Sequence, residues 1–120
     1  DYMTQWVARP FEQELTETQY QNLTRQLQGL FLTKVLQAFG DSNLEFKVLP
    51  PHPYLKEREL LIPVQLQQKT PSELYFRLYR NKEGWKIFDL VINQESTMSY
   101  FRTYFQQQVK QLGVAKVFGQ

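Results

Sequence analysis

The sequence predicts an α+β fold in which a four-stranded antiparallel sheet carries helices packed on one face. Three observations lead there. Apolar residues recur at three- and four-residue steps over residues 17–39, the signature of a long amphipathic helix. Four stretches between residues 43 and 92 alternate or run apolar, rich in β-branched and aromatic residues and separated at hairpin spacing. A second helical stripe then closes the chain at about residues 97–112. For the order helices, strands, helix, gathering the helices on one face of an antiparallel sheet is the economical packing.

Taken in order, Asp1 is placed to cap a short helix bearing Met3, Trp6 and Val7, which Pro10 ends. Thr16-Glu17-Thr18-Gln19 is a capping box for the long helix, whose apolar set is Tyr20, Leu23, Leu27, Leu30, Phe31, Val35, Ala38 and Phe39. Gly40 and Asp41 stop it after roughly 35 Å. Gly29, in its middle, costs helix propensity and suggests a close approach by another element. Asn43–Leu49 alternates as a strand, and Pro50-Pro51-His52-Pro53 then reads as an exposed loop. Glu59–Gln67 is the next strand, with Pro63 pointing to an edge or a bulge. Thr70-Pro71-Ser72-Glu73 forms a turn before the strictly alternating Glu73–Arg80. Asn81 to Gly84 is a turn, and Trp85–Ile92 a strand apolar enough to be covered on both faces. Asn93 or Ser96 is placed to cap the closing helix, Gly113 to end it, and Val114–Phe118 to form a short apolar tail.

Composition narrows the function. At 120 residues the chain makes a single domain, able to bury about two-thirds of its unfolded surface. The +2 net charge is scattered, with no Lys/Arg run, so there is no nucleic-acid footprint. Without cysteine there is no thiolate nucleophile and no Cys-based metal site, and no apolar run approaches the ~20 residues of a membrane span. His52 is the only histidine, in a proline-rich loop without neighbouring ligands, so neither a metal site nor a catalytic triad is expected.

Asp89 is the residue out of place, a carboxylate among apolar strand neighbours where an unpaired charge is costly. It reads either as an acceptor for backbone groups or Ser96 at the strand-to-helix corner, or as the base of an isomerase- or dehydratase-like enzyme. Tyr75, Arg77 and Tyr79 form an aromatic-basic stripe, suited to phosphate or a partner protein but equally to a plain solvent-facing strand. The remaining signal is an excess of large apolar groups: Leu27, Phe31 and Val35; Phe46, Val64, Leu74, Phe76 and Ile87; Met98, Phe101 and Phe105. An ordinary core and an apolar ligand cavity read alike at this level.

Gly84-Trp85-Lys86-Ile87-Phe88-Asp89-Leu90-Val91-Ile92, followed by Ser96, Arg102 and Phe105, resembles the signature of MlaC-type proteins, the toluene-tolerance auxiliary family. Leu112-Gly113-Val114 and the Thr16/Gln19 capping box extend the resemblance over about residues 1–118. Gln94-Glu95 stand where the family usually has Gly-Val, and Arg9 where it has glycine. The chain is therefore expected to be a divergent member, or one lacking the family's N-terminal helices. The resemblance implies a curved, cone-like sheet similar to the nuclear-transport-factor fold, and a periplasmic phospholipid carrier without enzymatic activity. Its partners would be an outer-membrane lipoprotein-porin complex and an inner-membrane ABC transporter complex, met in transient contacts that maintain outer-membrane lipid asymmetry. Phospholipid would be cargo rather than cofactor. The eleven apolar residues above would then meet acyl tails, while Asp89, Ser96 and Arg102 would fix the corner. Two tails keep roughly 20 kcal/mol of apolar surface from water at ~0.8 kcal/mol per CH₂. The competing reading is an interaction module on the same fold that has lost lipid binding and uses Tyr75, Arg77, Tyr79 and the exposed helices.

Overall fold

Two short helices, a long one, a run of strands and a closing pair of helices follow one another in a computed structural model that describes residues 2–39, 46–54, 58–66 and 73–120. The elements are α1 (Tyr2–Ala8), a 3₁₀ turn (Glu12–Glu14), α2 (Glu17–Phe39), β1 (Phe46–Val48), β2 (His52–Tyr54) and β3 (Glu59–Leu66). They continue as β4 (Glu73–Asn81), β5 (Gly84–Ile92), β6 (Glu95–Ser96), α3 (Thr97–Leu112) and α4 (Val114–Phe118). The chain divides into two compact units, Asp1–Lys34 with Met98–Gln120, and Val35–Thr97.

The helical unit is built on the predicted caps. The Thr16 N–H donates to Gln19 Oε1 at 2.9 Å and the Gln19 N–H to Thr16 Oγ1 at 3.1 Å, the reciprocal pair of a capping box. Gln19 Nε2 and Asn22 Nδ2 reach the carbonyls of Gly119 and Phe118, tying the chain end to α2 at 2.7 and 2.6 Å. The segment Val114–Phe118 is thus a helix rather than a tail, and its Phe118 ring stacks on Phe11 at 5.9 Å. Val7, Phe11, Leu23, Leu27, Met98, Phe101 and Phe105 fill this unit's core. Gly29 meets no close neighbour: a Cβ added there would find nothing within 4 Å.

The sheet is antiparallel, curved and unclosed, in the order β1-β3-β4-β5-β6, with β2 also paired to β3. Among the described residues it has six strands rather than four. His52–Tyr54, read as loop, pairs with Leu61–Glu59, and Glu95–Ser96, read as helix cap, pairs with Ile92–Val91. The strands β1 and β2 follow the same course along β3 with a one-residue change of register, Val48 facing Val64 but His52 facing Leu61. Pro50 and Pro51, which have no N–H to give the ladder, lie at the break. Pro63 sits opposite that break, and its carbonyl takes the Leu49 N–H at 3.0 Å. Its missing donor therefore costs the ladder nothing, although β3 is not an edge strand.

Two further irregularities shape the site. The β4–β5 register slips between Arg77 and Leu78, leaving Phe88 as an extra residue beside Asp89. Asn93 and Gln94 form the two-residue turn between β5 and β6, with φ of 49° and 72°, the primed geometry that hairpins favour. Asn93 is thus a turn residue, its Oδ1 accepting the Glu73 N–H at 3.2 Å. The stop at Gly40-Asp41, the first residues of the Asn43 strand, the turn at Thr70-Pro71-Ser72 and the Asp1 cap lie outside the described residues.

Candidate functional site: the two faces of the sheet

Cross-strand register decides which side chains share a face, because opposed residues project to the same side. Val48, Val64, Leu74 and Ile92 form one row across four strands; Ile62, Phe76 and Leu90 form the next; Leu60, Leu78 and Ile87 a third. Every member is aliphatic or aromatic. Phe46 extends this face at the β1 edge, and Trp85 continues it along β5. The last turn of α2 lies on it, with Phe39 stacked on Phe76 at 5.9 Å and edge-on to Phe46 at the same distance.

This face is only partly covered. Val64, Leu74 and Leu90 are buried, but Phe46 is 59% exposed, Val48 61%, Ile87 46% and Trp85 38%. The start of β5 is therefore open, against the expectation of a strand covered on both sides; only Phe88–Val91 are buried. Exposed apolar surface of this kind makes the face a candidate for binding. A cavity of about 360 Å³ lies at one end of the sheet, lined by Val64 and Leu74 of this face and by Pro63, Gln65, Glu73 and Tyr75 of the other.

The opposite face mixes Leu61, Pro63, Tyr75 and Val91 with a polar cluster centred on Asp89, and a cavity of about 300 Å³ opens there beside Arg77 and Ser96. Asp89 is fully buried. Its Oδ1 accepts the Leu90 N–H at 2.8 Å, and its Oδ2 accepts the Ser96 hydroxyl at 2.5 Å and Arg77 Nη1 at 3.3 Å. Arg77 also reaches Glu59 through Nη2 at 3.1 Å, and its guanidinium lies 4.8 Å from the centre of the Phe88 ring. The slip in register puts Phe88 on this side, where Tyr79 meets it edge-on at 6.0 Å. Arg77 is thus no exposed cation. It is held between two carboxylates over an aromatic ring, so the burial of Asp89 is offset by one shared guanidinium together with the Leu90 N–H and the Ser96 hydroxyl. Glu59 escapes the sequence reading, since only the β3–β4 register brings residue 59 beside this cluster; its place on a polar-facing strand position is the one local signal.

Of the eleven apolar candidates, the structure gathers Val64, Leu74, Phe76, Ile87 and Phe46 on the open face, with Val35 in the same unit. Leu27, Met98, Phe101 and Phe105 are core residues of the helical unit, and Phe31 packs against that core. Ser96 joins Asp89, as above. Arg102 takes other partners: Nε donates to the Trp6 carbonyl at 2.8 Å while the guanidinium lies 3.6 Å over the Trp6 ring, joining α3 to α1. Burial, and secondarily Arg9, lowers its pKa from the ordinary value. His52 is exposed on β2. Among the described residues no group of three His, Cys, Asp or Glu side chains is placed to hold a metal ion, and no helix is long and apolar enough to cross a membrane.

The profile of the MlaC protein family matches residues 1–120. The chain belongs to the MlaC family. Its fold agrees: the phospholipid-binding protein from Ralstonia solanacearum, solved in complex with a phospholipid, superposes with a TM-score of 0.81 at 18% identity, over 98% of this chain and 67% of that one. No curated protein matches by sequence. The strand Gly84–Ile92 supplies one member of each apolar row as well as Asp89, so the same nine residues serve both faces.

Proposed function

We propose that this chain is a non-enzymatic periplasmic phospholipid carrier. It shields acyl tails on the open apolar face of the sheet and passes lipid between an outer-membrane lipoprotein-porin complex and an inner-membrane ABC transporter complex. The observation that carries this reading is the row structure of that face, apolar in three successive rows across β3, β4 and β5 yet exposed at Phe46, Val48, Trp85 and Ile87. Family membership supports it, as does the phospholipid held by a protein of the same fold. Val35, Phe46, Val64, Leu74, Phe76 and Ile87 are the proposed tail contacts. Carriage needs no reacting group, and phospholipid serves as cargo with no cofactor required.

The rival readings find less support. Asp89 as a catalytic base would need a free oxygen, whereas Oδ1 is engaged by Leu90 and Oδ2 by Ser96 and Arg77. An interaction module reading phosphate or an acidic partner through Arg77 would need a cation that Glu59 and Asp89 already hold.

The test is protein-mediated transfer of a fluorescent diacyl phospholipid between vesicles. Ile87 is half-exposed, so Ile87→Asp should leave the fold intact while placing a charge among the tails. Transfer falling at least tenfold with an unchanged circular dichroism spectrum is the expected result. Unchanged transfer by the variant would exclude this face as the tail site.

A further inference from the structure

The helical unit carries a second concavity that the sheet does not share. Its volume is about 490 Å³, and it lies between α2 and α3. Both helices contribute the same spacing: residues 25, 26, 29 and 30 on one side and 100, 101, 104 and 105 on the other, each set on one helical face. Leu30, Phe101 and Phe105 make an apolar floor, and Gly29 leaves the space a side chain would fill. Arg25 is the only charged residue among the lining ones, and no described residue forms an ion pair with it. Tyr100 and Tyr104 stand at the same groove, 64% and 44% exposed, their rings edge-on to Phe101 and Phe105. A guanidinium with no ion pair among the described residues, two phenol hydroxyls and an apolar floor match one kind of ligand, an anionic head on a single hydrocarbon chain.

We propose that the α2–α3 groove is a binding site for a single-chain anionic amphiphile, with Arg25 and the hydroxyls of Tyr100 and Tyr104 holding the head, and Leu30, Phe101 and Phe105 receiving the chain. The volume falls within the range of small-molecule sites, roughly 300–1,000 Å³, and suits one chain rather than a diacyl lipid. Charge selects the head: a neutral amphiphile leaves Arg25 unmatched. The shared chemistry is an anionic oxygen head, supplied as a carboxylate by a fatty acid or as a phosphate monoester by a monoacylglycerol phosphate.

The experiment is isothermal titration of the full chain with dodecanoate, monododecyl phosphate, dodecyl maltoside and inorganic phosphate. Both anionic amphiphiles should bind, the neutral one roughly tenfold more weakly or less, and inorganic phosphate not at all. Arg25→Gln should weaken the two anionic ligands about tenfold and leave the maltoside unchanged. Gly29→Leu should fill the groove and abolish binding of all three amphiphiles, while helix propensity keeps α2 intact. Tighter binding of carboxylate or of phosphate identifies the source, and either result supports the site. Equal affinity for charged and neutral heads, or no effect of both variants, would overturn it. Transfer of a diacyl phospholipid is the separate readout of the sheet face, so either site can fail without the other.

Discussion

Asp89 holds its place because each of its carboxylate oxygens accepts a hydrogen bond and one of them also meets a guanidinium. It is fully buried on a bulged strand, with the Leu90 N–H, the Ser96 hydroxyl and Arg77 as partners, and Glu59 as the second carboxylate on that arginine. Removing one member of a buried pair strands the other, at a cost of about 3–5 kcal/mol. Arg77 is partly exposed and keeps Glu59, so Asp89→Ala is expected near the lower bound, about 3 kcal/mol, with Asp89→Asn costing less because the amide keeps an acceptor. Urea unfolding followed by tryptophan fluorescence measures both; a loss below about 1 kcal/mol for Asp89→Ala would mean that the cluster is worth no more than a surface pair. The sequence makes Asp89 conspicuous, because a carboxylate among apolar neighbours needs a reason, and it offers Ser96 as one partner. Arg77 and Glu59 are invisible there, since residues 59, 77 and 89 meet only through strand register. Arg102 follows the same logic in reverse. Its closeness in sequence to the strand–helix corner suggests a corner role, whereas its contacts are with Trp6, distant in the chain.

At the scale of elements, what is periodic is legible and what is irregular is not. The capping box, the 17–39 helix and the 97–112 helix stand where their spacing puts them, because a cap and a stripe are local properties. The two strands absent from the sequence reading, His52–Tyr54 and Glu95–Ser96, are two or three residues long and hide behind prolines or a cap-like serine. Gly29 illustrates a signal read with the wrong cause: the missing side chain leaves space in a groove rather than admitting another backbone. The β5–β6 turn yields a prediction at this scale. Gln94 has φ of 72°, a left-handed conformation that costs an L-residue roughly 1–2 kcal/mol and glycine nothing. Part of that gain is lost to the greater freedom of glycine in the unfolded chain, so Gln94→Gly should stabilise by about 1 kcal/mol. Thermal melting checks it: a raised melting temperature is expected, and a lowered one would contradict a strained turn.

Over the whole molecule, the α+β class follows from element order, and the family from the strand whose residues serve both faces. The count of strands does not follow, and neither does the division of the apolar residues. Leu74 and Phe76 belong to the sheet, Phe101 and Phe105 to the core of the helical unit, although all four look alike as alternating or striped apolar positions. Hydrophobicity specifies that a side chain leaves water without specifying what it meets. The exposed members of the sheet face bear on that point. Phe46, Val48, Ile87 and Trp85 remain open to solvent, a cost that a bound hydrocarbon would remove at about 25 cal/mol per Å² covered. Carriage of lipid is the central claim, and native mass spectrometry of the purified protein, followed by extraction and analysis of any bound lipid, tests it most directly. The expected result is a stoichiometric mass increment that extracts as diacyl phospholipid and is lost in Ile87→Asp. A bare polypeptide mass that stays bare after incubation with phospholipid vesicles would contradict the account.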